Sequence, residues 1–237
     1  MSTPGLFVIV PAAGRGLRFG SAQPKQYLPL AGAPVLVQTL RRLDRLGARA
    51  IAVGLSAEDP YWPRLHVSLA TPLVTFTGGA ERALTVLNGL AALSGQARGD
   101  DLVFVHDAAR PCVREADLRR LYEAAIDTPD GALLARPVAD TVKRGGPAGE
   151  ITATVDRRNL WLAQTPQAFR FDRLQAALAG AVAAGELVTD EAGAIERAGG
   201  HPRLVAGSLD NIKITTPEDL VLAEIYLAWQ TSQHEGQ

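Results

Sequence analysis

Short apolar runs that do not alternate with polar residues set the strongest limit on how this chain can fold. Residues 6–10 read Leu-Phe-Val-Ile-Val, and comparable runs occupy 50–55, 73–77, 102–105 and 132–138. A strand with one face in water alternates, so these runs are expected as strands buried on both faces. Between them lie helical patterns over 35–46, 61–69, 82–93 and 114–125, the first opening just after Pro34. Parallel strands need crossover connections, and the helices that make them cover both sheet faces. The expected fold class is α/β: a Rossmann-like, doubly wound, mostly parallel sheet flanked by helices, with ligands gathered at the strands' carboxyl ends.

The rhythm breaks at residues 139–159, where two β-prone pieces flank the turn-rich stretch Gly145-Gly-Pro-Ala-Gly149. This predicts a β-hairpin that has too little core to stand alone, and a second copy of the chain is a candidate for what it packs against. Beyond it come residues 160–165, helical patterns near 171–184 and 190–198, and a β-like stretch at 202–205. The stretch TTPEDLVLAEIYLAWQ reads as a closing amphipathic helix with Thr216 as N-cap, Pro217 in the first turn, and Glu218 and Asp219 facing the positive helix end.

At 237 residues and 47% apolar, the chain can bury one sizeable core, and a single domain spanning 1–237 is expected. A formal net charge of -1 argues against a nucleic-acid coat or a membrane-surface binder, so neither nucleic acid nor membrane is an expected partner. The apolar run at 6–10 is too short to span a bilayer and is broken at Pro11. The lone cysteine, Cys112, permits no intrachain disulfide and no cysteine zinc cluster; a reducing, cytoplasmic setting is expected.

Directly after the first apolar run stands PAAGRGLRFGSAQPKQY, residues 11–27. The dinucleotide fingerprint needs a glycine three places after its second, and Phe19 stands there after Gly14 and Gly16. A P-loop needs a glycine five places after its first; Gly14 finds Phe19 and Gly16 finds Ser21. Both fail. The first 43 residues carry Arg15, Arg18, Lys25, Arg41 and Arg42 and no acid. Small residues let backbone N–H groups approach a phosphate, and the cations neutralise phosphoryl oxygens, so the loop suits a polyphosphate. A surface turn with solvated cations is the plainer alternative for such a composition.

The spacing of Gly14, Gly16, Arg18, Pro24 and Lys25 resembles the nucleotidyltransferases that use a Gly-x-Gly-x-Arg loop followed by Pro-Lys, and PKQY narrows the likeness to cytidylyltransferases. Further stretches match in order: GGAERALTVLNGL at 78–90, HDAARP at 106–111, PVADTVKR at 137–144, TVDRRNLW at 154–161, QTPQAF at 164–169, VTDEA at 188–192 and DNIKITTPEDL at 210–220. Together they resemble the 2-C-methyl-D-erythritol 4-phosphate cytidylyltransferase family of non-mevalonate isoprenoid synthesis.

The resemblance implies transfer of the cytidylyl group of CTP to a polyol phosphate, release of pyrophosphate, a divalent cation such as Mg2+, and a homodimer clasped by the hairpin arm. It assigns Arg18 and Lys25 to transition-state stabilisation, and Arg157 and Lys213 to holding and orienting the acceptor phosphate. Thr141, Thr165 and Arg110 are placed around the acceptor. Ala12, Ala13, Gly14 and Gly16, with Gly79, Ala80 and Thr85, fall in the nucleotide pocket. Ala80 stands where the family often has an acid, Thr85 where serine is familiar, and Phe19 where methionine is usual. Asp107 follows the strand at 102–105 and His106; it is expected to contact the metal, to accept acceptor hydroxyls or to pair with Arg110. His106 is expected to be structural. Ribitol 5-phosphate as acceptor, and a noncatalytic nucleotide-binding module, are the competing readings.

Overall fold

The structure, a computed structural model, describes residues 4–14, 23–186 and 188–235. In chain order the first half holds β1 (Leu6–Pro11), β2 (Pro29–Leu30), β3 (Ala33–Pro34), α1 (Val35–Asp44), β4 (Ala50–Leu55), β5 (Leu73–Thr77), α2 (Arg82–Leu93), β6 (Leu102–Val105) and α3 (Glu115–Asp127). The second half adds β7 (Ala132–Pro137), β8 (Val142–Gly145), β9 (Ile151–Val155), β10 (Trp161–Arg170), α4 (Phe171–Ala183), α5 (Glu191–Arg197), β11 (Arg203–Ala206) and α6 (Pro217–Glu235).

Seven strands form the central sheet in the order β11-β7-β10-β6-β1-β4-β5. Every pairing is parallel except those of β10, which runs antiparallel to both β6 and β7. The chain winds outward from β1 through β4 to β5, then returns to β6 on the other side of β1. The carboxyl ends of β1 and β6 therefore bound the crevice where such sheets bind ligands.

The unbroken apolar character of β1 follows from this position. Leu6, Val8 and Val10 pack into one core layer with Leu36, Leu40 and Leu43 of α1 and Leu118 and Leu121 of α3. Phe7 and Ile9 point the other way, toward Val86 and Leu90 of α2, Leu174 and Leu178 of α4 and Ile195 of α5. Alternation along the strand thus separates two apolar layers rather than core from water.

β8 and β9 pair as an antiparallel two-stranded hairpin, separate from the central sheet, and their residues are mostly exposed. Residues 160–165 run into β10 rather than standing alone, and the register of β10 against β7 shifts between Ala163 and Gln167. Pro166 lies in that irregularity, where no ladder N–H is required. The helix expected over 61–69 is absent; only a 3-10 turn, Trp62–Arg64, forms. Asp59 accepts from the backbone N–H groups of Tyr61 and Trp62 at 3.0 Å each, and Leu65, Val67 and Leu69 pack against the core from an extended segment. Their spacing of two is a strand-like period that the helical reading overlooked. At α6, Asp219 accepts from Thr216 N–H at 2.9 Å and Thr215 N–H at 2.8 Å, the backward-reaching half of a capping box.

Candidate active site

The loop after β1, the turn before α2 and the loop after β6 meet in an open cleft of about 280 Å³. Ala12, Ala13, Gly14, Gly79, Ala80, Thr85, Lys25, Asp107 and Lys213 all line it, which unites nine of the residues marked from sequence. Arg18 and Gly16 lie outside the described residues.

The walls formed by the loop after β1 and the turn before α2 are built by close approach. A Cβ on Gly78 would stand 2.5 Å from the Cβ of Ala13, so a side chain there would force the two loops apart. Thr85 accepts from Gly79 N–H at 3.0 Å and donates to the Glu81 carbonyl at 3.1 Å, locking the turn onto the start of α2. Gln26, buried in the 3-10 turn Lys25–Tyr27, donates through Nε2 to the carbonyls of Ala12 at 2.7 Å and Gly14 at 2.9 Å. Gln26 thereby pins both sides of Ala13 from within the PKQY motif, a role that the motif's spelling does not reveal.

Asp107 is the hub of the cleft floor. Its Oδ1 meets Arg82 Nε at 3.3 Å, and its Oδ2 meets Arg110 Nε at 3.3 Å and Lys213 Nζ at 2.9 Å. Burial opposes ionisation, but Arg82, Lys213 and Arg110 outweigh it and hold the carboxyl well below the usual carboxylate range. Arg110 also donates through Nη1 to the Asn211 carbonyl at 2.8 Å. Lys25 donates to the Ile214 carbonyl at 2.6 Å, so the loop that carries Lys25 and the segment that carries Lys213 are tied together.

Thr165 sits behind this hub. Its hydroxyl accepts from Asp107 N–H at 3.0 Å and lies 3.1 Å from His106 Nδ1, while His106 Nε2 lies 3.0 Å from the Arg110 carbonyl. The consistent assignment has Thr165 donating to Nδ1 and Nε2–H donating to the carbonyl. Burial pushes the His106 pKa down to about 4, so the imidazole is a neutral structural link, as its strand-end position suggested.

Arg157 and Thr141 are not brought to the cleft; both are exposed on the hairpin side, where Arg157 donates to the Ala139 carbonyl. Sequence reasoning also missed two charged groups. Arg82 lines the cleft, and Glu191, fully buried, receives its guanidinium at 2.5 and 3.1 Å. Each lies within a quoted motif, GGAER and VTDEA, but their pairing across more than a hundred residues is a tertiary fact.

A resident divalent cation does not fit these residues. Both oxygens of Asp107 are taken by cationic side chains, and no cluster of three His, Cys, Asp or Glu suited to a metal occurs among the described residues.

A switch-point crevice lined by Lys25, Arg82 and Lys213, with Arg110 paired to its Asp107 and backbone walls on one side, has the build of a nucleotidyltransferase site. Comparison with known proteins makes the class specific. The family model of 2-C-methyl-D-erythritol 4-phosphate cytidylyltransferase matches residues 6–229, and the chain belongs to that family. The enzyme of that name from Xanthomonas campestris pv. campestris (strain B100) is 52% identical over 227 residues, covering 95% of this chain and 86% of the relative. The Pseudomonas aeruginosa enzyme is 49% identical over 220 residues, covering 92% and 94%. A crystal structure of 4-diphosphocytidyl-2C-methyl-D-erythritol synthase superposes with a TM-score of 0.83 at 37% identity, covering 95% of this chain and all of that one.

Proposed function

We infer that this chain transfers the cytidylyl group of CTP to 2-C-methyl-D-erythritol 4-phosphate, giving 4-diphosphocytidyl-2-C-methyl-D-erythritol and pyrophosphate. The observation that carries the reading is the convergence of Lys25, Arg82 and Lys213 on one cleft at the carboxyl ends of β1 and β6. An oxygen of the acceptor phosphate attacks the α-phosphorus of CTP, the bond to the bridging oxygen breaks, and that oxygen leaves on pyrophosphate. Two anions must approach and charge grows on the transferring group, so waiting cations lower the barrier. The attacking phosphate is already ionised and needs no base, which suits a neutral His106.

In this reading Arg18 and Lys25 stabilise the transition state from the nucleotide side, joined by Arg82. Lys213, Arg110, Thr165 and Asp107 order the acceptor side. Ala13, Gly14 and Ala80, on the backbone walls held by Gln26 and Thr85, meet the base and ribose. Magnesium would enter as part of the CTP substrate and would supply charge neutralisation to the triphosphate; none of the described residues is assigned to hold it. The chain is one domain, 1–237, whose 139–159 arm pairs two copies, so that Thr141 and Arg157 of each reach the other's acceptor site. A cytoplasmic setting fits a chain with a single cysteine; no helix among the described residues is long and apolar enough to cross a membrane.

The test is pyrophosphate release with magnesium, using CTP, UTP, ATP and GTP against methylerythritol phosphate and ribitol 5-phosphate. Turnover preferring CTP and methylerythritol phosphate is expected. Preference for ribitol phosphate, or nucleotide binding with no turnover, would sink the reading.

A further inference from the structure

Glu191 is fully buried, yet it lies beyond the cleft's lining and touches no group expected to meet substrate except Arg82. Its two oxygens take Nη1 and Nη2 of Arg82 at 2.5 and 3.1 Å, a fork-to-fork pairing that fixes the guanidinium plane. The same guanidinium turns its Nε to Asp107 at 3.3 Å. Among the described residues, three of its five N–H bonds are thus engaged, and the other two are unassigned beside the cleft that Arg82 lines.

Glu191 is itself held on a prepared support. It is the first residue of α5, whose N-cap Asp190 accepts from Gly193 N–H at 3.0 Å. Gln167 of β10 clamps that start from the sheet side, donating to Asp190 Oδ2 at 2.8 Å and accepting from Ala192 N–H at 2.8 Å. A rigid path therefore runs from β10 through the start of α5 to Glu191, then through Arg82 to Asp107 and on to Lys213.

We propose that Glu191 is a positioning residue for cytidylyl transfer: through its paired contact it aims the Arg82 guanidinium at the cleft and at Asp107. The proposal rests on the reaction inferred above. A buried carboxylate is costly unless paired, and a hydrophobic residue would fill the space under α5 more cheaply; the ion pair's use is to hold a cation still where phosphate charge develops. A displacement of about 1 Å at such a group can cost on the order of 10²-fold in rate.

The experiment is a double-mutant cycle on the full chain with Glu191→Gln, Arg82→Gln and both together, read in kcat, in the KM of each substrate and in the dissociation constant for CTP. Glu191→Gln should lower kcat by about 10- to 100-fold with the acceptor KM within about twofold. The double variant should be no slower than Arg82→Gln alone, because Glu191 has nothing left to position. The double variant also removes the charge that Glu191→Gln leaves unpaired, so it keeps the cycle readable if the single variant folds poorly. Glu191→Asp, which keeps the charge on a shorter arm, should restore part of kcat. Penalties that multiply in the double variant, or near-normal kcat in folded Glu191→Gln, would overturn the proposal. If the wild-type chain binds CTP without turning over methylerythritol phosphate, the reaction reading fails, and the same cycle in CTP affinity decides the positioning role: lost coupling there overturns it.

Discussion

Lys25 and Ile214 are joined by a 2.6 Å hydrogen bond from the lysine ammonium to the isoleucine carbonyl, across 189 residues of chain. That bond places the ammonium of the glycine-rich loop's motif beside Lys213, whose own ammonium rests on Asp107 at 2.9 Å. Two cations from opposite ends of the sequence thus share one cleft, each held by a protein acceptor.

Lys25→Ala is expected to lower pyrophosphate release by roughly 10²- to 10³-fold, the usual cost of removing one preorganised charge-stabilising donor. The fold should survive, because Lys25 is only partly buried and lies in a short 3-10 turn whose packing is carried by Gln26 and Tyr27. Near-normal turnover in a folded variant would remove Lys25 from the chemistry.

Arg157→Ala and Lys213→Ala chains, each inactive alone, should regain activity when combined in a heterodimer, because one of the two composite sites then has both groups. Recovery toward about half of the wild-type level is the expectation for a symmetric pair. A verified heterodimer with no recovery would show that the exposed hairpin does not supply Arg157 to a partner.

Asp107→Asn should destabilise the fold by about 3–5 kcal/mol, since Arg82, Arg110 and Lys213 would lose their shared counter-charge. The folded-state pKa of Asp107 lies below its unfolded value, so its contribution is fully present above about pH 4 and is lost as the pH falls further. Urea titrations between pH 7 and pH 3 should therefore show a shallower acid decline for the variant than for the wild type. Parallel curves would contradict the ion-pair hub.

His106 gives a separate pH signature. Its folded pKa is pushed down to about 4, below the unfolded value near 6.5, so the unfolded chain binds more protons between those two values. Stability is then expected to fall as the pH drops from about 6.5 to 4, while kcat shows no limb from this imidazole. In a His106→Gln variant the fall over that window should shrink; an unchanged slope would place the proton elsewhere.

Much of the architecture could be read along the chain. The runs at 50–55, 73–77 and 102–105 match β4, β5 and β6 residue for residue, and 82–93 matches α2. β4 and β6, buried along their whole length, and the apolar face of α2 write themselves into local composition, whereas β5 is an edge strand with Thr75 and Thr77 exposed and was legible from its β-prone residues, not from the two-faced burial expected of it. The failure at 61–69 has the opposite cause: Asp59, Tyr61 and the Tyr27 ring, stacked at 5.0 Å between centroids, hold an extended segment whose apolar residues serve the core without a helix.

For the site, the sequence by itself determined the residue types: small residues and cations after the first strand, an acid after the fourth strand of the central sheet, and a lysine near the closing helix. Those identities rest on local chemistry, since a phosphate demands donors and close backbone approach wherever the loop lies. Only the tertiary structure decided the pairings. That Asp107 spends both oxygens on Arg82, Arg110 and Lys213, that Gln26 pins Ala12 and Gly14, and that buried Glu191 holds Arg82 depend on four distant segments meeting at one sheet edge. Charge pairing weakens with distance and strengthens as water is excluded, and neither the separation nor the burial exists until the chain has folded.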